Sequence, residues 1–241
     1  MNQSQNKTHI RLKLSELNSP VKEDDLVLGD EISLERLISA CQKFKINKYM
    51  AEANSVNESF LTSLPSLDGK PEKVIDWLHS KSSQAFKKHL SSSTSVNTLL
   101  EELIPFIESN KSANRMKEKI SLFVDELFSN SNKASTNDHD VIIALSVSEK
   151  HFRVSFLDYV GALMPQHFMD LVAKCLEVGI KENINQDKSV GAGIGLTLLL
   201  KQSSFVSVLA KKNVFSCVTF EAPLSRREVP VINSILLKEY K

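Results

Sequence analysis

Glu126 and Asn130 stand four residues apart in the stretch from Leu122 to Ser135, L-F-V-D-E-L-F-S-N-S-N-K-A-S, and Lys133 follows seven residues after Glu126. On an α-helix these three side chains form a single row. A carboxylate, an amide and an ammonium in a row suit a metal-bound polyphosphate. The amide oxygen can complete a magnesium shell, the carboxylate can orient a water or hydroxyl, and the ammonium can neutralise phosphate charge. Later, Gly191 to Leu196 reads G-A-G-I-G-L, with glycines at alternate positions before the apolar run Leu196-Thr197-Leu198-Leu199-Leu200. That pattern predicts a flexible loop feeding a helix, where bare backbone N–H groups can surround an anion at the positive helix end.

The elements that must position these residues follow from periodicity. Met116, Ile120, Phe123, Val124 and Leu127 recur at three- and four-residue intervals, which pins their helix to a core and turns the polar row toward a cavity. Asp140 to Val147 and His151 to Leu157 read as strands joined by Ser148-Glu149-Lys150, a hairpin ending at Asp158. Gln166 to Val178 is helical, and the polar stretch from Glu182 to Val190 has the composition of a mobile loop. Phe205 to Ala210 and Val214 to Glu221 form a second hairpin around Lys211-Lys212-Asn213. The C-terminal V-P-V-I-N-S-I-L-L-K-E-Y-K is apolar enough to pack against either the body or a second copy. The order helix, two strands, helix, loop, helix, two strands predicts an α+β fold, a two-layer sandwich with helices on one side of a mixed or antiparallel sheet.

The first half reads as mostly helical after a plausible strand at Ile10 to Leu17. Ser33 to Phe44 is a helix with Ser33 as cap, and Lys48 to Leu64 is a second one. Pro65 to Pro71 is a break, Glu72 to Leu90 a long helix, and Val96 to Ile107 a further helix broken or kinked at Pro105. The expected organisation is an N-terminal mixed or helical region over 1–70, a helical hairpin or connector over 71–111, and the candidate site domain over 112–241.

Composition narrows the function classes. With 30 Lys and Arg against 29 Asp and Glu the net charge is +1, so no bulk basic surface is available and nucleic acid is not an expected partner. Cys41, Cys175 and Cys217 are far apart, without metal-ligand spacing, and read as reduced thiols. The first residues lack an apolar core and no run of about 18 apolar residues occurs. A cytoplasmic protein without membrane segments is expected. Lys211-Lys212 and Arg226-Arg227 read as solvated turn and tail charges, and Lys188 as a loop lysine.

Glu126-x-x-x-Asn130 on a helix, Asp158 at a strand end, a mobile segment and G-x-G-x-G-L opening a helix resemble the GHKL superfamily of ATP-binding domains. That superfamily includes histidine kinases, gyrase-type ATPases and anti-sigma-factor serine kinases. The resemblance covers about residues 112 to 224 and implies a histidine kinase-like ATPase fold with ATP and Mg2+ as cofactors. It implies that Asn130 binds magnesium and that Glu126 is the catalytic base or its equivalent; Lys133 is a cofactor-binding candidate from the helical row alone. Asp158 would receive the adenine amino group, and Gly191, Gly193 and Gly195 with Leu196 would wrap the phosphates. Where the family often has Gly-Thr near its last strand, this chain has Phe215-Ser216, which keeps a hydroxyl at Ser216. The family's D-x-G-x-G is here Asp158-Tyr159-Val160-Gly161-Ala162, with side chains at both glycine positions and one glycine out of step. Val160 takes space beneath the adenine, and Tyr159 could stack on the base or close the pocket.

Three outcomes stay open: nucleotide binding with slow or no turnover, an active ATP-dependent protein kinase or weak ATPase, and a nucleotide-free scaffold. The first implies a signalling regulator whose 165–190 segment orders around the γ-phosphate and changes the surface shown to a regulatory protein partner, sigma/anti-sigma-like or response-regulator-like. The alternative is an inactive phosphotransfer or docking protein. There the helices from 72 to 109 pair in a homodimeric four-helix bundle and His79 or His89 is the phosphoacceptor, although neither is followed by an orienting acid.

Overall fold

The computed structural model describes residues 11–30, 32–51, 61, 63–67, 70–80, 82, 84–91, 94–134, 140–178, 191–225, 227 and 231–241. The elements are β1 (Arg11–Lys13), β2 (Leu26–Gly29), α1 (Leu34–Phe44), β3 (Lys48–Ala51), α2 (Glu72–His79), β4 (Gln84–Leu90), α3 (Val96–Ser109) and α4 (Lys111–Asn114). They continue with α5 (Lys117–Ala134), β5 (Val141–Val147), β6 (His151–Asp158), α6 (Pro165–Val178), α7 (Gly191–Lys201), β7 (Phe205–Lys211), β8 (Phe215–Pro223) and β9 (Ser234–Glu239). The strands form one nine-stranded sheet in the order β1-β2-β3-β9-β7-β8-β6-β5-β4. It is mixed: β1–β2, β2–β3 and β7–β9 are parallel and the other pairs antiparallel. The fold is therefore mixed α/β, compatible with the α+β expectation.

Both expected hairpins are present. Val141 pairs with Asp158 and Val147 with Phe152, and Ser148 closes the turn by donating its N–H to His151 O at 2.8 Å. In the second, Asn213 takes a left-handed conformation (φ 58°) and Val214 N–H reaches Lys211 O at 3.0 Å. The C-terminal apolar stretch, open between body and second copy, enters the body as β9, parallel to β7 and antiparallel to β3.

The N-terminal half departs from its helical expectation. Lys48–Ala51, expected to open a helix, is a strand buried along its whole length, so it carries no alternation to separate it from a helix; residues 52–60 lie outside the described residues. The long helix expected over Glu72 to Leu90 is α2 followed by β4. Phe86 and Leu90 are four apart and fit a helix or a strand equally well, and pairing along β5 from Gln84↔Val147 to Leu90↔Val141 decides for the strand. Residues 71–111, expected to be a helical hairpin or connector, thus hold a helix, a strand and a second helix, with α4 starting at Lys111. The helix α3 runs unbroken through Pro105, which is exposed, so the hydrogen bond it cannot donate falls on the solvent side. Helix α1 matches expectation, with Ser33 accepting from Arg36 N at 3.4 Å and Leu37, Ile38 and Cys41 buried.

Helices lie on both faces of the sheet, not on one. Side chains of α1, α3, α5, α6 and α7 share one hydrophobic cluster with Val154, Phe156, Val218 and Phe220. On the other face Val74, Ile75 and Leu78 of α2 cover Ile142, Ala144, Leu157 and Cys217. The central strands are apolar on both faces, so a single helical layer would leave one of them wet. Among the described residues no helix is long and apolar enough to cross a membrane.

Candidate functional site

Helix α5 supplies the row. Ile120, Phe123, Val124 and Leu127 are buried as the periodicity predicts, leaving Asp125, Glu126, Ser129 and Asn130 partly exposed. Phe123 meets Phe152 edge-on at 5.2 Å, and five residues on Phe128 meets Phe156 at 6.2 Å. The helix therefore runs along β6 in the same sense, carrying Asn130 toward the strand end where Asp158 sits.

The glycine segment is already helical: α7 begins at Gly191, so the three glycines lie in its first turns and not in a loop before it. No proline intervenes, and Leu196, Leu199 and Leu200 are buried, so packing carries the helix back through the glycines. Gly195 is where α7 meets α5. A Cβ built on Gly195 would overlap Glu126 Oε2 and lie 2.9 Å from Glu126 Cδ. Only the absence of a side chain lets the carboxylate rest against the helix. Two stretches separated by about 60 residues of sequence thus converge at one contact. Leu196, expected among the phosphate-side residues, is 2% exposed and belongs to the core. The backbone N–H groups of the first turn of α7 have no acceptor within the helix, and Gly191 and Gly193 have no side chain to cover them.

One turn beyond Glu126, the side-chain amide nitrogen of Asn130 is buried without a hydrogen-bond partner. A buried amide donor left unmatched costs about 1–3 kcal/mol, and the residue is not sealed off from solvent. It is suited to an acceptor that arrives from outside, such as a phosphate oxygen. Lys133 lies in the last turn of α5, and its expected role at a phosphate falls outside the described residues, as do Lys188 and the loop from Glu182 to Val190.

At the far end of β6 the Asp158 carboxylate is fixed from two directions. Its Oδ1 accepts from the backbone N–H of Val160 and Gly161, both at 2.9 Å, and its Oδ2 accepts from Ser216 Oγ. Asp158 and Ser216 are register partners across β6 and β8, and Ser216 is fully buried. A carboxylate has about four acceptor positions. Three are used, which leaves one for an incoming donor. Gly161, out of step in the family motif, has a local reason. Its φ is +65° and a Cβ there would lie 2.8 Å from Val214 N and 2.9 Å from Asn213 N, in the turn between β7 and β8.

Tyr159 faces away from this cluster. Alternation along β6 sends Asp158 to the helix-rich face and Tyr159 to the α2 face, where its hydroxyl donates to Glu72 Oε1. It therefore neither stacks on a base nor closes the pocket. Neither histidine lies on the expected helical hairpin. His79 is buried, with Nδ1 2.8 Å from Ser146 Oγ and Nε2 2.8 Å from Ser155 Oγ, and His89 is on strand β4. Burial pushes the His79 imidazole down to about 3. Helices α2 and α3 pack on opposite sheet faces, so they do not form the expected hairpin.

No known protein family and no curated protein matches the chain.

Proposed function

We propose that the chain is a regulatory ATP-binding protein of the GHKL type, which binds Mg-ATP between α5 and α7 and changes a partner-binding surface when it does so. The contact between Glu126 and Gly195 carries the reading. A shared anion site requires the acidic helix and the glycine helix to meet, and they meet at the residues whose spacing suggested it. The order α5, β5, β6, α6, α7, β7, β8 supports it, as does the unmatched Asn130 donor.

Asn130 and Glu126 would hold the cation's side of the site. Magnesium is an ion held by one or two protein groups together with the phosphates. The bound ion would neutralise phosphate charge. Glu126 orients a water or a partner hydroxyl and accepts its proton, Gly191 and Gly193 offer backbone N–H groups to phosphate oxygens, and Asp158 offers its remaining acceptor to an exocyclic amine. A cytoplasmic signalling role with a sigma-factor-system or response-regulator-like partner goes with this reading, and protein kinase or ATPase turnover is its active form.

The test is titration calorimetry with Mg-ATP. Saturable binding to the native chain, lost on Asn130→Ala while the thermal unfolding midpoint is kept, is the expected result. Absence of heat at millimolar nucleotide in the native chain would reject the reading.

A further inference from the structure

We propose that Glu72 and Tyr159 are positioning residues for the base side of this site: helix α2, on the opposite sheet face, sets the orientation of Asp158 through Tyr159. The inference rests on the ATP-binding reading above and deepens it.

The turn from Asp158 to Gly161 has three anchors. Ser216 Oγ holds Asp158 laterally within the sheet. Gly161 fits against the backbone of Lys211, Asn213 and Val214, also within the sheet's own hairpin. The third anchor comes from outside the sheet. Tyr159, joined directly to Asp158, crosses to the other face and donates its hydroxyl to Glu72, the first residue of α2. A hydrogen bond to a charged acceptor is among the stronger ones. The bond lowers the Glu72 carboxyl from its ordinary value, and burial together with Glu72 raises the Tyr159 phenol. Around neutral pH the pair is therefore a phenol donating to a carboxylate.

The far end of α2 is fastened as well. Arg153 Nη1 donates to Leu78 O while its Nε donates to Glu221 at 3.0 Å, and His79 bridges Ser146 and Ser155. With its C-terminal turn tied to the middle of the sheet and its N-terminal turn tied to Tyr159, α2 spans β6 as a brace. Any shift of its first turn is delivered to the peptide that precedes Val160. Since Asp158 accepts from Val160 N–H and Gly161 N–H, that peptide sets where its free acceptor points.

The experiment compares two ligands on the full chain by calorimetry: Mg-ATP, which needs both ends of the site, and Mg-tripolyphosphate, which has no base. Tyr159→Phe and Glu72→Ala are expected to weaken Mg-ATP by about three- to tenfold, the range for losing part of one charge-assisted hydrogen bond. Tripolyphosphate affinity is expected to stay within about twofold in both variants. Glu72→Gln keeps an acceptor oxygen and should retain most of the Mg-ATP affinity, a rescue that a loss of general packing would not give. Unchanged Mg-ATP affinity in Tyr159→Phe, or a parallel loss of both ligands, overturns the proposal while leaving ATP binding intact. A native chain that binds neither ligand overturns the ATP-binding reading, and this inference with it.

Discussion

Two polar clusters lie on opposite faces of the same sheet, and they end differently. On the α2 face His79 engages a serine at each ring nitrogen, and Ser155 continues to Thr219 at 2.7 Å. On the helix-rich face Glu126 rests on Gly195, and one turn further along α5 the Asn130 side-chain nitrogen is buried and unmatched. The α2 row also contains an unmatched hydroxyl, Ser207 Oγ, on a residue that is 0% exposed, whereas the Asn130 side chain is partly exposed although its Nδ2 is itself buried. A polar group closed in by partners holds the sheet to its helix. One left unmatched in a partly exposed side chain is available to a ligand that reaches it. On the proposed function the first cluster holds the fold and the second binds ligand, and each role can be broken separately.

The largest effect is expected from acid. His79 titrates at about 3 in the folded protein, against an ordinary value of 6.5, because burial disfavours its charged form and Arg153 and Lys87 add to this. The unfolded chain therefore binds a proton that the folded chain refuses between those two values. The His79 contribution is fully present above pH 6.5, declines as pH falls, and is lost on approaching pH 3. Its upper bound is about 4 to 5 kcal/mol. Urea unfolding measured between pH 7 and pH 4 should show that decline, and His79→Gln should flatten it. A native chain with equal stability at both ends would remove His79 from the structural side of the comparison.

Next comes His79→Ala. It leaves the hydroxyls of Ser146 and Ser155, 1% and 0% exposed, short of a partner above a small cavity. A loss of about 3 kcal/mol is expected, read as a lower urea midpoint at unchanged slope. Mg-tripolyphosphate affinity of the folded fraction should not change. If it falls, the two faces are not independent.

The same contrast explains what the sequence discloses. Helix α5 was legible because five apolar residues from Met116 to Leu127 repeat at helical spacing, and the polar row on its other side is read from the same period. The two C-terminal hairpins were legible because alternation and turn residues agree. Strands β3 and β4 were not. One is buried on both faces and the other is a seven-residue edge strand whose apolar spacing fits either period, so only pairing across the sheet assigns them. Helix α2 on the second face was invisible as a layer, since a sequence gives the periodicity of a helix but not the face it covers. For the same reason Tyr159 read as a pocket residue. Its direction depends on which side of β6 Asp158 takes, and the packing of Phe156 and Leu157 into different clusters sets that side. Gly161 could have been found: an Asp followed three residues later by Gly at a strand end is a turn signal, here satisfied by the Asp158 side chain.

Gly195→Ala tests the contact itself. The new methyl would displace the Glu126 carboxylate, the end of a flexible side chain, so the stability cost should be small, about 1 kcal/mol or less. Mg-ATP affinity should fall by about tenfold, because the displaced carboxylate changes the position of the group beside the phosphates. A stability loss well above this range with unchanged nucleotide affinity would make the contact a packing feature and move Glu126 to the structural side.

The smallest effect is the most discriminating, because its sign differs between the two clusters. Removing a group whose hydrogen bonds are satisfied destabilises the folded chain, as for His79. Removing one that is buried and unmatched relieves a desolvation cost. Asn130→Ala should therefore leave the ligand-free protein as stable as the native chain or more stable by up to about 1 kcal/mol, since the lost amide nitrogen made no compensating bond. Saturating Mg-ATP should raise the unfolding midpoint of the native chain and not that of the variant, because only a state that binds ligand is stabilised by it. The two curves, variant above native without ligand and below it with ligand, should cross as Mg-ATP is added. If Asn130→Ala instead destabilises the ligand-free chain by more than about 1 kcal/mol, its amide is a structural group like His79. The helix-rich face would then hold no unmatched donor at Asn130 for a nucleotide.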